Sequence, residues 1–311
     1  MAEPMTIRPG FWRRLLDGDL AYRFRQSPVA IVSALVAAII ILGAVFADFV
    51  APHNPFDLST VSLLDALDPP AWMEGGNAEF PLGTDSQGRD MLSAILFGSR
   101  ISLMVGALAV GFAMTIGIAA GLLAGWRGGW ADALIMRLAD VQLSFPSILV
   151  ALLIDGIARA LLPREVQDQI AIWVLVVSIG LSGWVQFART VRGSTLVERN
   201  KEYIQAARII GVHPVRIVIG HVLPNVLTPV LVIATIYLAN AIITEATLSF
   251  LGVGVPVTQP SLGTLIRVGN SFLFSGEWWI TLFPSITLAV LILSVNLLGD
   301  WVRDALNPRL R

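Results

Sequence analysis

Six stretches of this chain are long, apolar and almost free of charge, and they restrict its fold more than any other feature. A helix gains only about 1.5 Å per residue, so about 20 apolar residues are needed to cross a bilayer. Residues 29–47, 101–126, 131–154, 170–188, 224–251 and 278–298 have the required length and composition. They predict an all-α integral membrane protein with six transmembrane helices. The whole chain agrees: it is 55% hydrophobic and 14% charged, with a mean hydropathy of +0.75. Soluble domains carry about a quarter charged residues.

Six spans place both termini on one side. One side would hold Arg8, Arg13, Arg14, Arg23, Arg25, Arg127, Arg137, Arg189, Arg192, Arg199, Lys201, Arg208, Arg216, Arg303, Arg309 and Arg311. The other would hold Arg89, Arg100, Arg159, Arg164 and Arg267. Basic residues accumulate on the cytoplasmic side of membrane proteins. The termini and the 189–223 loop are therefore expected in the cytoplasm, and 51–100 and 252–277 outside. The expected organisation is a cytoplasmic segment 1–28, a first span 29–50, an external connection 51–100, a five-helix body 101–301 and a tail 302–311. The first apolar run is longer than the core of a cleaved signal peptide, so it reads as a retained span. Before it, Trp12, Leu16, Leu20 and Phe24 repeat every four residues among arginines. That pattern fits a short helix on the inner membrane surface, with Gly18 weakening it.

The stretch 202–224 is polar and helix-forming, yet lies between two spans. Tyr203, Ala206, Ala207 and Ile210 recur at helical spacing and predict one narrow apolar stripe. The small Ala206 and Ala207 let another surface come close. Gly211 can end a helix in the left-handed conformation, and Pro214 after His213 suits the first turn of the next. The expected shape is two short helices at an angle. Gln205-Ala206-Ala207, Gly211 and Leu223-Pro224 also stand at the spacing of the "EAA" loop of ABC-importer permeases, which this segment resembles. Gln205 replaces the usual Glu there, and His221 replaces Ile.

The resemblance extends along nearly the whole chain, to the C-type subunit of the dipeptide, oligopeptide and nickel branch. It is carried by residues 81–93 (PLGTDSQGRDMLS), 98–103, Gly128-Gly129-Trp130-Ala131-Asp132, Met136-Arg137, Asp140, Ser249-Phe250-Leu251-Gly252 and the end 296–308. The family's terminal string usually reads Asp-Pro, where this chain has Asn307-Pro308. The resemblance implies a type I ABC-importer permease fold in a bacterial or archaeal inner membrane. It implies that Tyr203, Gln205, Ala206, Ala207, Gly211, Pro214, Leu223 and Pro224 couple the chain to an ATPase. The implied partners are a second, homologous permease, two ATP-binding subunits and an external substrate-binding protein. ATP and Mg would be bound by those ATPases, with no cofactor in this chain.

Other features bear on chemistry. Thr84 and Gln87 have capping-box spacing and predict a helix start. Gly117, Gly121 and Gly125 form a small-residue face that suits either intrachain packing or a contact with another subunit. Arg137 and Asp140, three apart, predict an ion pair on one helix face. Glu245 is the one charge well inside an apolar run. It either lines the permeation path or sits near the external interface where Gly252, Gly254 and Pro256 end the helix. His53, His213 and His221 are too dispersed for a metal site, and cysteine is absent. The only lysine, Lys201, has no P-loop around it, and no protease or esterase motif is present. The near-neutral net charge of −1 gives no case for nucleic acid. An ion-gradient-driven secondary transporter is the alternative; it would be expected to show paired broken helices and midplane polar clusters, which the sequence lacks.

Overall fold

The computed structural model describes residues 19–57 and 61–306. They form helices α1 (Asp19–Gln26), α2 (Pro28–Val45), α3 (Met91–Arg127), α4 (Gly129–Leu143), α5 (Ser147–Leu161), α6 (Arg164–Glu198), α7 (Glu202–Ile209), α8 (Leu223–Phe250), α9 (Leu262–Asn270) and α10 (Trp279–Leu306). Among the described residues there is no strand, only one isolated bridge between Thr84 and Asp90. Of the expected surface helix, α1 contains Leu20 and Phe24, while Trp12, Leu16 and Gly18 lie outside the described residues.

Among the described residues, five helices are long and apolar enough to cross a membrane, and the third expected span is broken. Instead of one helix over 131–154, α4 and α5 meet at 94°. Pro146 explains the break. It has no N–H to continue a helix, and its ring pushes the preceding residue, Phe145, out of the helical region.

The broken pair runs from one side of the bundle to the other. Phe24 of α1 packs edge-on against Trp301 near the end of α10, with centroids 5.1 Å apart, so both ends of the described chain share one side. At the far end of α2, Arg100 donates to the carbonyls of Ala44 and Val45, which puts the apolar part of α3 at that far side when it starts. At the other end of α3, Arg199 closes on the carbonyl of Gly125. The pair α4–α5 enters beside this end, where Asp132 meets Arg192 at 2.7 Å. It leaves on the far side, where Arg159 donates to Gly254 just beyond α8.

The main core seam lies between α3 and α6. A Cβ added at Gly117 would stand 2.7 Å from the carbonyl oxygen of Trp184, and one at Gly121 would stand 2.5 Å from that of Ala188. At Gly125 it would meet Thr195 Cβ at 2.7 Å. The glycine face is thus an intrachain contact: without side chains the two backbones touch, and dispersion operates over the full seam. A second core joins the first turns of α3 to α8, α9 and α10 through Met91, Ile95, Ile242, Leu265 and Ile280.

The expected helix start at Thr84 moves to Asp90, whose carboxylate caps Ser93 N–H. Gly83 and Gly88, at φ +79° and +76°, hold 83–90 in turns instead. The Thr84 hydroxyl donates to the carbonyl of Asp65 and accepts from Asp68 N–H, which ties this string into the folded segment before it. Arg89, buried beside Asp85, reaches the carbonyl of Val257, and Trp279 Nε1 donates to that of Thr84. The connection between α2 and α3 therefore ends at residue 90, and α3 begins ten residues before the uncharged run.

Candidate functional site

On the side shared by the two ends, the chain leaves α6, forms α7 and returns as α8. Helix α7 ends as the sequence requires. Gly211 has φ +81°, its N–H bonds to Arg208 O at 3.1 Å, and Val212 N–H bonds to Ala207 O at 3.0 Å. This paired closure needs a left-handed residue, which glycine adopts without a Cβ clash. His213 then caps the next turn, its Nδ1 accepting from Val215 N–H, and Pro214 takes the first helical position.

The second short helix of the expected pair does not exist as a separate unit. Pro214–Ile217 runs through a π turn, Val218–Val222, directly into α8. The Leu-Pro end of the motif accounts for that turn. In a regular α-helix the ring of Pro224 would strike the carbonyl four residues back and leave it without a donor. Widening the turn, with Leu223 N–H bonded to Val218 O, relieves the clash.

The apolar stripe also differs from the expected one. Ile204 and Ala207 face inward and join the core that contains Phe187, Ile217 and Val222. Ala207 therefore packs against its own bundle. Tyr203, Gln205, Ala206, Gly211, Pro214 and Pro224 are exposed, and Leu223 is half-buried. Ile209 and Ile210 are 85% and 78% exposed, and Val215 and Ile219 also face outward. A groove of about 460 Å³ runs beside them along His213, Val215, Arg216, Ile219 and Gly220. The spacing rule misses Ile209 and Ile219. The signal for Ile209 is that α7 carries more apolar residues than one inward face can use; Ile219, in the π turn, carries no such signal.

The loop is fastened to α3 as well. Arg199 donates to Gly125 O at 2.7 Å, and Arg208 lies 4.6 Å from the centre of the Trp126 ring. Tyr203 donates its hydroxyl to Glu198. Loss of solvent, then the Glu198 carboxylate beside it, push the Tyr203 hydroxyl up to about 12.

The other ionisable candidates find partners across helices. Asp140 pairs with Arg189 of α6 rather than with Arg137 on its own helix. Three residues of rise bring two side chains near each other, but α6 presents its arginine to the same surface. Glu245 is 0% exposed. Its Oε2 accepts from Ser102 Oγ and its Oε1 from Ser249 Oγ, both at 2.7 Å, and Ser102 Oγ accepts Leu262 N–H at 3.3 Å. In this arrangement the carboxylate joins α3, α8 and the first turn of α9. The histidines stay apart: His213 caps a helix, His221 O accepts from Asn225, and His53 lies 3.4 Å from Glu79 on the far side.

Comparison with known proteins adds to this geometry. A family described as "Binding-protein-dependent transport system inner membrane component" matches residues 117–311. One described as "N-terminal TM domain of oligopeptide transport permease C" matches residues 10–70. The di/tripeptide transport system permease protein DppC of Pseudomonas aeruginosa is 38% identical over 93% of this chain and 90% of its own length. The dipeptide transport system permease protein DppC of Escherichia coli K12 is 36% identical, covering 99% of this chain and 95% of its own. The oligopeptide transport system permease protein OppC of Bacillus subtilis is 34% identical over 94% and 90%. Among solved structures, an inward-facing form of the MetNI methionine ABC transporter superposes with TM-score 0.53 at 20% identity, over 69% of this chain and 97% of that one.

Proposed function

This chain belongs to the family of binding-protein-dependent transport system inner membrane components, and we propose that it is a peptide permease whose α7 face docks a separate ATPase. It would form half of a translocation path for dipeptides or similar short peptides, completed by a second, homologous permease. An external binding protein would deliver cargo, and two ATPase subunits would bind ATP and Mg. The names of the full-length relatives support the cargo class. The basic side, with Arg192, Arg199, Arg208 and Arg216 around α7, supports a cytoplasmic position for α7 and both termini.

One observation carries the docking reading. Ile209 and Ile210, at the end of a polar surface helix, stand in the open while Ile204 and Ala207 already satisfy the core. Exposed apolar clusters rimmed by polar residues mark interaction surfaces. Gln205 and Ala206 extend this outward face. ATP-driven closure of the two ATPases would press on α7 in both permeases and swing the bundle from inward-facing to outward-facing. Replacing Ile209 and Ile210 together by Asp tests this. Membrane insertion should persist, and the ATPase should be lost on purification in mild detergent. Wild-type retention would refute the docking face.

A further inference from the structure

Glu198 is the last residue of α6, and only 6% of it is exposed. Both of its carboxylate oxygens are engaged by the segment that follows. One accepts the Tyr203 hydroxyl, and the other lies 2.7 Å from Lys201 Nζ. The Tyr203 oxygen in turn accepts from Asn225 Nδ2 at 3.1 Å. The same Nδ2 reaches His221 O at 2.7 Å. Asn225 sits in the first turn of α8, and His221 in the π turn just before it. Three side chains thus form one hydrogen-bonded line from α6, through α7, to α8.

The line addresses a mechanical weakness of the loop. Helix α7 has eight residues and a non-helical joint at each end, at Asn200–Lys201 and at Gly211–His213. Apolar contacts through Ile204 and Ala207 hold it down but are non-directional. Hydrogen bonds to an ionised carboxylate are short, strong and angle-dependent. The π turn is a second soft point, because its widened bonds replace the regular ladder. Asn225 braces that turn from within α8. The raised titration range of Tyr203 keeps its proton in place at physiological pH, so the donor to Glu198 is always available.

We propose that Glu198 and Asn225 are positioning residues that clamp α7 to α6 and α8, so that displacement of α7 enters the membrane helices instead of being absorbed at its joints. This rests on the reading of α7 as the ATPase contact. Neither residue belongs to the outward face formed by Gln205, Ala206, Ile209 and Ile210, so docking and transmission can be separated.

The test uses the whole complex in lipid vesicles, with import of labelled dialanine and ATP hydrolysis measured on the same preparation. Asn225→Ala and Glu198→Ala are compared with Glu198→Gln, which keeps an acceptor for Tyr203. The expected result is normal ATPase retention and hydrolysis, with import per ATP reduced at least about fivefold in the two alanine variants, the low end of measured coupling effects. Glu198→Gln should recover much of that loss. An unchanged ratio of import to hydrolysis in Asn225→Ala would overturn the proposal, as would a proportional fall of both. Asn225 is exposed, so this variant decides the matter even where Glu198→Ala does not assemble. Should the Ile209→Asp, Ile210→Asp double variant keep its ATPase, the docking reading has failed. Should it lose the ATPase while Asn225→Ala keeps its import per ATP, only the clamp has failed.

Discussion

Replacing Gly121 by alanine should destabilise the protein, whereas the same change at Gly111 on the same helix should not. At Gly121 the added Cβ would stand 2.5 Å from Ala188 O, 2.6 Å from Val191 Cβ and 2.9 Å from Val191 Cγ1. Non-bonded carbon atoms rest at about 3.5–4.0 Å, so α6 must retreat by about 1 Å. Two of the three obstructing atoms are a backbone oxygen and a Cβ, which no rotamer change can move aside. A gap of about 0.5–1 Å forfeits a quarter to a half of each contact it opens, and the seam continues through Gly117 and Gly125. The expected cost is about 1–3 kcal/mol, in the range for overpacking. Gly111 has nothing within 4 Å of its added Cβ, so alanine there meets no obstacle. It should gain up to about 0.5–1 kcal/mol from lower backbone entropy. The assay is the melting temperature of the purified protein, followed by the fraction that remains monodisperse after heating. Gly121→Ala should melt below wild type and Gly111→Ala at or above it. If Gly121→Ala melts at or above wild type, the close α3–α6 seam is not the contact described.

Three further outcomes follow from particular residues. Gly211→Val should weaken ATPase co-purification more than Gly211→Asn; no neighbour lies within 4 Å of an added Cβ, so the defect is purely conformational. With no native cysteine, a cysteine at Leu64, 94% exposed, should react with an impermeant external reagent and one at Asn200 should not; the reverse pattern would invert the orientation. Glu245→Ala strips the acceptor from Ser102 and Ser249, and each buried donor left unpaired costs about 1–3 kcal/mol. It should lower the melting temperature well below that of Glu245→Gln, which keeps one acceptor; equal melting of the two would remove the structural role given to this carboxylate.

What the sequence reveals here is what depends on one segment at a time. The five unbroken apolar helices follow from length and hydropathy, and Gly211, His213 and Pro214 behave as local backbone rules require because those rules involve only neighbours. The break at Pro146 is also local, yet averaging hydropathy over a whole span hides it: Ser144-Phe145-Pro146 sits between two apolar runs that look continuous. Contacts across helices are another matter. Helical spacing places Asp140 near Arg137, but it cannot show that α6 offers Arg189 to the same surface. Nor can it say which side of α7 meets the bundle. Ile204 and Ala207 form one possible stripe, Tyr203 with Ala206 and Ile210 another, and only packing against Phe187 and Ile217 chooses the first. Glu245 is the clearest case. A carboxylate inside an apolar run announces that partners exist, because an unpaired charge would not remain there. Its partners come from Ser102, far away in the chain, and from Ser249, one turn on, where serine is too common to signal a role. A residue's need for a partner is therefore written in its own chemistry, while the partner's identity is a property of the assembled helices. That is why Glu198, polar and ordinary at the end of α6, becomes one end of a line through three helices only once Tyr203 is brought to it and Asn225 to Tyr203.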